Sequence, residues 1–242
     1  MKPVAIFQHD KIQRPGYLLS FLQQRGIPTR IIAPMEGDPI PHSAESFSGL
    51  IFLGSNGSVN DPLPWIARER LLMQDAVSRD VPILGHCFGG QLLSTALGGR
   101  VTRNATPCIG WSKLRVTPDS RHWFGGATEV NAFNWHYETF SIPPGAKRTL
   151  FGTHCLNKGF SMGKHLAFQC HLEVTEEIVR DWCAEGHLEL ETNPGAAVQA
   201  ESQILFGLPQ RVASLHKVAH SVYVQWMAGL PRPQTAHYCG GW

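Results

Sequence analysis

A cysteine in a glycine-rich stretch has the surroundings expected of a catalytic nucleophile. Cys87 follows a short apolar run, has Gly85 and Gly89 two positions to either side, and precedes a helical pattern. Small residues at these positions permit a sharp strand-to-helix turn that exposes the side chain between them. The positive end of the following helix favours the thiolate, and the Phe88 N–H lies where an oxyanion needs a donor. A buried, inert cysteine at a helix start has the same local sequence.

A thiol nucleophile needs a base, and the strongest candidate among the 12 histidines is His171. It ends a β-like run, and Glu173 follows two positions later. Residues two apart on an extended segment point to one face, so the carboxylate can orient the imidazole like the third member of a triad. An isolated H-x-E pattern is a weak signal, but it gains weight beside Cys87. His86, next to the cysteine, is expected to pack or to form a hydrogen bond rather than to act as a second base.

Two further stretches complete a known pattern. A glycine-rich loop covers 54–61, and the stretch Trp135-His136-Tyr137-Glu138-Thr139-Phe140 is followed by Pro143-Pro144-Gly145-Ala146. The turn around Cys87 has the form G-x-C-x-G-x-Q and ends at Gln91. In order and content these stretches resemble the class I glutamine amidotransferase family, and the resemblance extends over residues 4 to about 180. The resemblance is greatest to its stand-alone members, which are similar to the glutaminase of GMP synthase.

The resemblance implies a flavodoxin-like three-layer α/β sandwich, with a mostly parallel central sheet and a few appended antiparallel strands. It implies that Cys87 attacks the side-chain amide of glutamine and forms a thioester. His171 would protonate the leaving ammonia and then act as base for water, with Glu173 orienting it. The residues expected to form the oxyanion site and bind the substrate are Ser55, Gly57, Phe88, Gln91, Trp135, His136 and Tyr137. No cofactor and no metal are expected.

The sequence departs from the family pattern at the loop and in the pocket. Gly54, Ser55 and Asn56 stand where the family usually has Gly-Gly-Pro, whereas a Ser-Asn-Gly form of other members would move the donor to Gly57. The sequence fits either Ser55 or Gly57 as the residue that supplies the oxyanion donor. Tyr137 stands where many relatives have glycine, so its side chain either narrows the pocket or turns outward.

Three functions fit these features. The chain could be an amidotransferase subunit that supplies ammonia to a synthetase or other acceptor partner, because no P-loop pattern and no second domain are found. It could be a free-standing hydrolase or peptidase of glutamine or another γ-glutamyl amide. It could also be a regulatory relative with weak turnover. A cysteine peptidase or deglycase with the same turn is disfavoured, because in those proteins the base typically follows the nucleophile directly.

Composition excludes other classes of function. The 242 residues carry 21 Lys and Arg against 19 Asp and Glu, a net charge of +2. No basic run exceeds two residues, which gives no support for a nucleic-acid partner. No apolar stretch approaches the ~18 residues of a membrane span, and no signal peptide is expected. Six cysteines without a framework spacing indicate free thiols in a reducing cytoplasm.

The elements that must position these residues alternate between strand and helix in the first half. Such alternation predicts a parallel sheet covered on both faces. The predicted strands are 4–7, 29–33, 49–53 and 82–84, and the predicted helices are 15–25, 65–77 and 90–97.

After residue 100 the pattern predicts mixed or antiparallel strands appended to the same sheet. They are expected at 113–117, 129–133, 159–162 and 165–170. A helix capped by Thr175 over 175–184 is followed by C-terminal helices within 200–229, broken at Pro209, and by an irregular tail over 231–242. The whole chain, 1–242, is expected to form one domain.

Overall fold

The computed structural model describes residues 1–231, so all but the first residue of the expected tail lies outside the described part. The strands are β1 Val4–Phe7, β2 Thr29–Ile32, β3 Gly49–Phe52, β4 Ile83–His86, β5 Val101–Val116, β6 Glu129–Phe140, β7 Lys147–Phe151, β8 Gly159–Met162 and β9 His165–Phe168. The helices are α1 Gly16–Gln24, α2 Pro64–Ser78, α3 Phe88–Ala96, α4 Glu176–Glu185, α5 His187–Thr192, α6 Glu201–Leu205 and α7 Leu208–Met227. Within residues 1–231, no helix is long and apolar enough to cross a bilayer.

One half of the sheet is parallel, in the order β2-β1-β3-β4-β9. Except at the edge strand β2, both faces of this half are buried, as β1 illustrates. Val4 and Ile6 point into a core formed with α1, α4 and α7, whereas Ala5 and Phe7 point into a second core formed with α2 and α3. Two helical layers around a parallel sheet confirm the predicted flavodoxin-like α/β sandwich.

The other half, β9-β8-β7-β5-β6, is antiparallel and larger than the sequence indicates. The predicted strands at 113–117 and 129–133 are only parts of β5 and β6, and β7 has no counterpart among the predicted strands. A register shift between Arg103 and Cys108 interrupts the β5–β6 pairing, and polar residues obscure the alternation there. Pro209 does not break a helix, because it lies in the first turn of α7, where proline is tolerated.

Strand β9 brings the two halves of the expected site together. It inserts between β4 and β8, parallel to β4, so the segments that follow β4 and β9 leave the sheet side by side. The Cys87 N–H donates to the Phe168 carbonyl oxygen at 2.8 Å, and this hydrogen bond joins the segment after β4 to the end of β9. The thiol turn and the H-x-E pair therefore meet at the carboxyl edge of the parallel strands.

Two glycines allow the turn to pack against the sheet. A Cβ on Gly85 would lie 2.5 Å from the backbone of Gly89, and a Cβ on Gly89 would lie 2.1 Å from the carbonyl oxygen of Phe52. Contacts this short with backbone atoms require the main chain to shift. The glycines are therefore needed for close approach, because neither has a positive φ.

Gly89→Ala is expected to destabilise the protein by about 1–3 kcal/mol, although alanine is the better helix former. The clash with Phe52 outweighs the gain in helix propensity. Gly195→Ala is the control, because its Cβ would meet only side-chain atoms at 3.5 and 3.6 Å. Urea unfolding measures both changes, and equal stability of the two variants would contradict the close-packing account.

Candidate active site

Cys87 lies between β4 and α3 with a backbone that few residues adopt. Its φ is 50° and its ψ is −108°, and Asp80 is the only other non-glycine residue with positive φ in the described chain. The thiol lies 3.8 Å from the carbonyl oxygen of Trp135, and the Gln169 side-chain amide donates to it at 3.6 Å. The side chain is almost buried but lines a cavity. The turn therefore presents the sulfur to an enclosed site.

His171 is held beside the thiol by its backbone and by its ring. Its N–H donates to the carbonyl oxygen of Phe133 on β6, and the Nδ1 atom lies 2.7 Å from Glu173 Oε1. The edge of the ring meets Trp182, with centroids 4.7 Å apart. Burial disfavours the charged ring, but the Glu173 carboxylate and a hydrogen bond with Cys87 outweigh it and raise the pKa of His171. The imidazole is therefore poised to carry a proton next to the sulfur.

The carboxylate of Glu173 is shared by two imidazoles. While Oε1 faces His171, Oε2 accepts a hydrogen bond from His86 Nδ1 at 2.8 Å. Burial would raise the pKa of Glu173, but His86 and His171 together hold that pKa well below its usual range. His86 is thus a hydrogen-bonding residue, as expected, but its partner is the carboxylate of the H-x-E pair. In the sequence, the only indication of this contact is that His86 is adjacent to Cys87.

A cavity of about 600 Å³ opens in front of the thiol. Of the residues expected to bind substrate, the cavity is lined by Ser55, Gly57, Gln91, Trp135, His136 and Tyr137, together with Cys87. Phe88, His171 and Glu173 are buried and do not line it. Lining residues that sequence reasoning did not single out include Arg103, Trp182, Glu185 and Glu189. The stretch around Trp135 lies within β6 rather than in a loop.

The glycine-rich loop is held against the base and against β6. A Cβ on Gly54 would lie 3.1 Å from His171 Cε1 and would overlap the side chain of Gln13. Further along, the Ser58 hydroxyl donates to Glu138 Oε2 at 2.8 Å. This hydrogen bond ties the loop to the cavity wall.

A buried lysine fixes one wall of the cavity. The Lys158 ammonium donates to Asn134 Oδ1 and to His136 Nε2, both at 2.7 Å, although only 2% of the lysine is exposed. Burial and the neighbouring Lys158 charge lower the pKa of His136 well below its ordinary value. His136 Nδ1 donates to the carbonyl oxygen of Glu138 at 2.9 Å. His136 is therefore a neutral, fixed wall residue.

Gln91 and Tyr137 are committed to contacts within the protein. The Gln91 amide donates to the Glu138 carbonyl oxygen at 3.2 Å and to Gln169 Oε1 at 3.3 Å. The Tyr137 hydroxyl donates to Glu189 on α5, which also accepts from Trp135 Nε1 at 3.1 Å. Burial and Glu189 raise the pKa of Tyr137. Tyr137 does not turn outward, since it joins β6 to α5 across the cavity.

Two other buried thiols, those of Cys170 and Cys108, are unsuited to the same chemistry. Burial raises the pKa of Cys170 to about 12 and raises that of Cys108. All five cysteines in residues 1–231 are free. In the same part of the chain, no cluster of three or more His, Cys, Asp or Glu side chains is placed to hold a metal.

The family model for class-I glutamine amidotransferases matches residues 17–180, which is more than half of the chain. The chain therefore belongs to the class I glutamine amidotransferase family. Its fold is also that of a solved glutamine amidotransferase from Methylobacillus flagellatus, with a TM-score of 0.95 and 38% identity. That comparison covers 98% of this chain and 99% of the other.

Curated relatives carry related names at lower identity. The glutamine amidotransferase-like protein YfeJ of Salmonella typhimurium is 25% identical, over 75% of this chain and 80% of its own length. The glutamine-hydrolysing GMP synthase of Aeropyrum pernix is 26% identical, over 54% of this chain but only 25% of its own length. This chain thus resembles one segment of that longer synthase.

Replacing His86 tests the shared carboxylate. In His86→Leu, one oxygen of a buried carboxylate loses its donor, which is expected to destabilise the protein by about 1–3 kcal/mol. Removal of His86 Nε2, which has no partner within residues 1–231, offsets only a small part of this loss. In His86→Asn, an amide nitrogen lies near the former Nδ1 position and is expected to recover most of the stability. Chemical denaturation at neutral pH compares the variants, and equal losses would show that Glu173 does not depend on this donor.

Proposed function

We propose that the protein hydrolyses the side-chain amide of glutamine through a thioester on Cys87 and releases ammonia. One observation carries this proposal: a strained cysteine faces a cavity, and the hydrogen-bonded pair of His171 and Glu173, on the segment that follows β9, lies beside its thiol. A thiol, a base and an orienting carboxylate are the parts that nucleophilic amide hydrolysis needs. Membership of the amidotransferase family supports the same reaction.

The proposed first step forms a bond between Cys87 Sγ and the side-chain carbonyl carbon of glutamine. The carbonyl electron pair moves to the oxygen, where backbone N–H groups, including that of Phe88, stabilise the negative charge. His171 transfers its proton to the leaving nitrogen as the carbon–nitrogen bond breaks. The products of this step are ammonia and a γ-glutamyl thioester.

In the second step, water attacks the thioester carbon. His171 removes a proton from the water, the carbon–sulfur bond breaks, and glutamate leaves as the thiolate is restored. Glu173 orients the imidazole and stabilises its charge in both steps. Ser55, Gly57, Gln91, Trp135, His136 and Tyr137 form the surroundings of the substrate in this proposal.

We propose that a separate partner protein uses the released ammonia in a synthetase reaction. A relative in Saccharolobus solfataricus bears the name of one subunit of glutamine-hydrolysing GMP synthase and is 27% identical over 44% of this chain and 55% of its own length. That name supports a partner carrying the synthetase chemistry. The free cysteines support a reducing cytoplasm as the place of action.

A second candidate is hydrolysis of γ-glutamyl amides with a larger leaving group. The cavity of about 600 Å³ has the size of a typical small-molecule site, whereas glutamine is a small amino acid. Ammonia release from glutamine, and amine release from γ-glutamyl amides of increasing size, distinguish the two candidates. A kcat/KM that rises with leaving-group size favours the second. Absence of turnover and of thioester formation with every substrate would contradict both.

Cys87→Ala is expected to abolish amide hydrolysis while the fold is retained, because it removes the proposed nucleophile. A diazo-ketone analogue of glutamine should label Cys87 in the unmodified protein and leave the other cysteines unlabelled. Peptide mass spectrometry locates the label, and Cys170→Ala is the matched control that should still be labelled. Labelling of Cys170 or Cys108 in place of Cys87 would contradict the assignment.

Glu173→Gln is expected to be milder than His171→Ala, which removes the ~10²–10⁴-fold contribution of general acid–base catalysis. The Glu173 carboxylate raises the pKa of His171, so its neutralisation lowers that pKa. Protonated His171 is then lost at lower pH, and the alkaline limb of the kcat/KM profile moves to lower pH. Steady-state kinetics across pH measure this shift. A limb that stays in place would mean that Glu173 does not set the protonation of His171.

A further inference from the structure

A second buried histidine–glutamate pair lies behind the glycine-rich loop, outside the cavity. His9 Nε2 lies 2.9 and 3.1 Å from the two oxygens of Glu69, and His9 Nδ1 lies 3.0 Å from the carbonyl oxygen of Gly54. Only 3% of His9 and none of Glu69 is exposed. The His9 ring also packs against Trp65 and Phe88, with centroids 5.2 and 4.9 Å away.

The partners of His9 define its protonation. A carboxylate and a carbonyl oxygen accept hydrogen bonds and donate none, so both ring nitrogens of His9 carry a proton. Burial opposes this charge, but Glu69 outweighs burial and raises the pKa of His9. Glu69 is the charged group that contacts the ring, and Trp65 and Phe88 cover it. His9 and Glu69 therefore form a buried ion pair. The His9 ring keeps one orientation, because turning it away would leave a buried charge without a partner.

The bond from His9 fixes the peptide between Gly54 and Ser55. The described chain has no cis peptide, and in a planar trans peptide the C=O and N–H point in opposite directions. Because the Gly54 carbonyl points to His9, the Ser55 N–H points away from His9, and Ser55 is one of the residues that line the cavity. Within residues 1–231 this N–H has no hydrogen-bond acceptor.

The alternative donor in this loop is already engaged. The Gly57 N–H donates to Ser55 Oγ at 3.2 Å, and the next N–H, that of Ser58, donates to Asp61 Oδ2 at 2.9 Å. The first residue of α3, Phe88, likewise has a backbone N–H with no acceptor among the described residues. Asn56 also lines the cavity and has a backbone N–H with no acceptor among the described residues, but its peptide is not the one that His9 holds. Ser55 has a free N–H on the peptide that His9 holds, and Phe88 has one directly after Cys87.

We propose that His9 and Glu69 are positioning residues that aim the Ser55 N–H, together with the Phe88 N–H, at the oxyanion formed on the substrate. One imidazole serves both donors, because it holds the carbonyl before Ser55 and supports the ring of Phe88. This assignment rests on the proposed glutaminase chemistry. It selects the Ser55 register of the loop over the Gly57 register.

Two double variants test the hydrogen bond to Gly54. His9→Phe with Glu69→Leu replaces the ion pair by apolar groups and keeps a ring between Trp65 and Phe88, but it removes the donor. His9→Asn with Glu69→Leu restores a donor near the former Nδ1 position. Loss of one oxyanion donor typically lowers kcat by about 10²–10³-fold. We expect the Phe variant to lose at least about tenfold in kcat with KM unchanged, and the Asn variant to regain most of it.

Alkylation by iodoacetamide separates this role from damage to the thiol, because that reaction forms no oxyanion. Both double variants are expected to react at Cys87 as fast as the unmodified protein. Unchanged kcat in the Phe variant would overturn the proposal, and so would equal loss in the Phe and Asn variants. A wild-type protein that releases no ammonia and reacts with no glutamine analogue would instead contradict the proposed function itself.

The unmodified protein provides a test that requires no variant to fold. The γ-aldehyde of glutamate forms a carbon–sulfur bond with Cys87, and its carbonyl electron pair moves to an oxygen in the oxyanion position. In the ¹⁵N-labelled protein, the amide protons of Ser55 and Phe88 should move downfield and exchange more slowly in this adduct. The Gly57 amide should change little. A large shift at Gly57 with none at Ser55 would overturn the proposal.

Discussion

The conformation of one residue governs the arrangement of the site. With φ at 50°, the backbone of Cys87 occupies a region that costs a non-glycine residue about 1–3 kcal/mol. The strain persists because neighbouring contacts hold the turn from both sides. The Cys87 N–H is bonded to the end of β9, and the Gly89 N–H donates to the carbonyl oxygen of Leu53. These contacts direct the sulfur toward the cavity and leave the Phe88 N–H free.

Buried charges surround this turn, and hydrogen bonds fix the orientation of each charged group. Glu173 holds two imidazoles, Glu69 holds one imidazolium, and Lys158 is bound by an amide oxygen and a neutral imidazole. Desolvation makes an unpaired charge in such a place costly, so each group has few alternative orientations. The site gains rigidity from these hydrogen-bonded charges rather than net stability.

The parts of the fold and site that the sequence predicts are those with local signals. Short apolar runs locate β1 to β4, and the glycines around Cys87 locate the turn. The sequence underestimates the extent of β5 and β6, because their polar residues and register shift obscure the alternation. It does not predict the contacts of His86 and Lys158, since their partners are remote in sequence and are brought close only when strands pair. The loop register that we propose likewise rests on a tertiary hydrogen bond from His9 to Gly54, which the sequence does not reveal.

The place of β9 has a consequence for the order in which the chain can fold. Strands β1 to β4 are complete once residue 86 has been made, yet the second neighbour of β4, strand β9, is made only with residues 165–168. Until then, β4 is an open edge with unpaired backbone groups, which other chains could join. Pairing that spans so much sequence is slow to form. During synthesis the thiol is therefore made before its base, and the residues of β5 and β6 are made while the edge of β4 still lacks its partner.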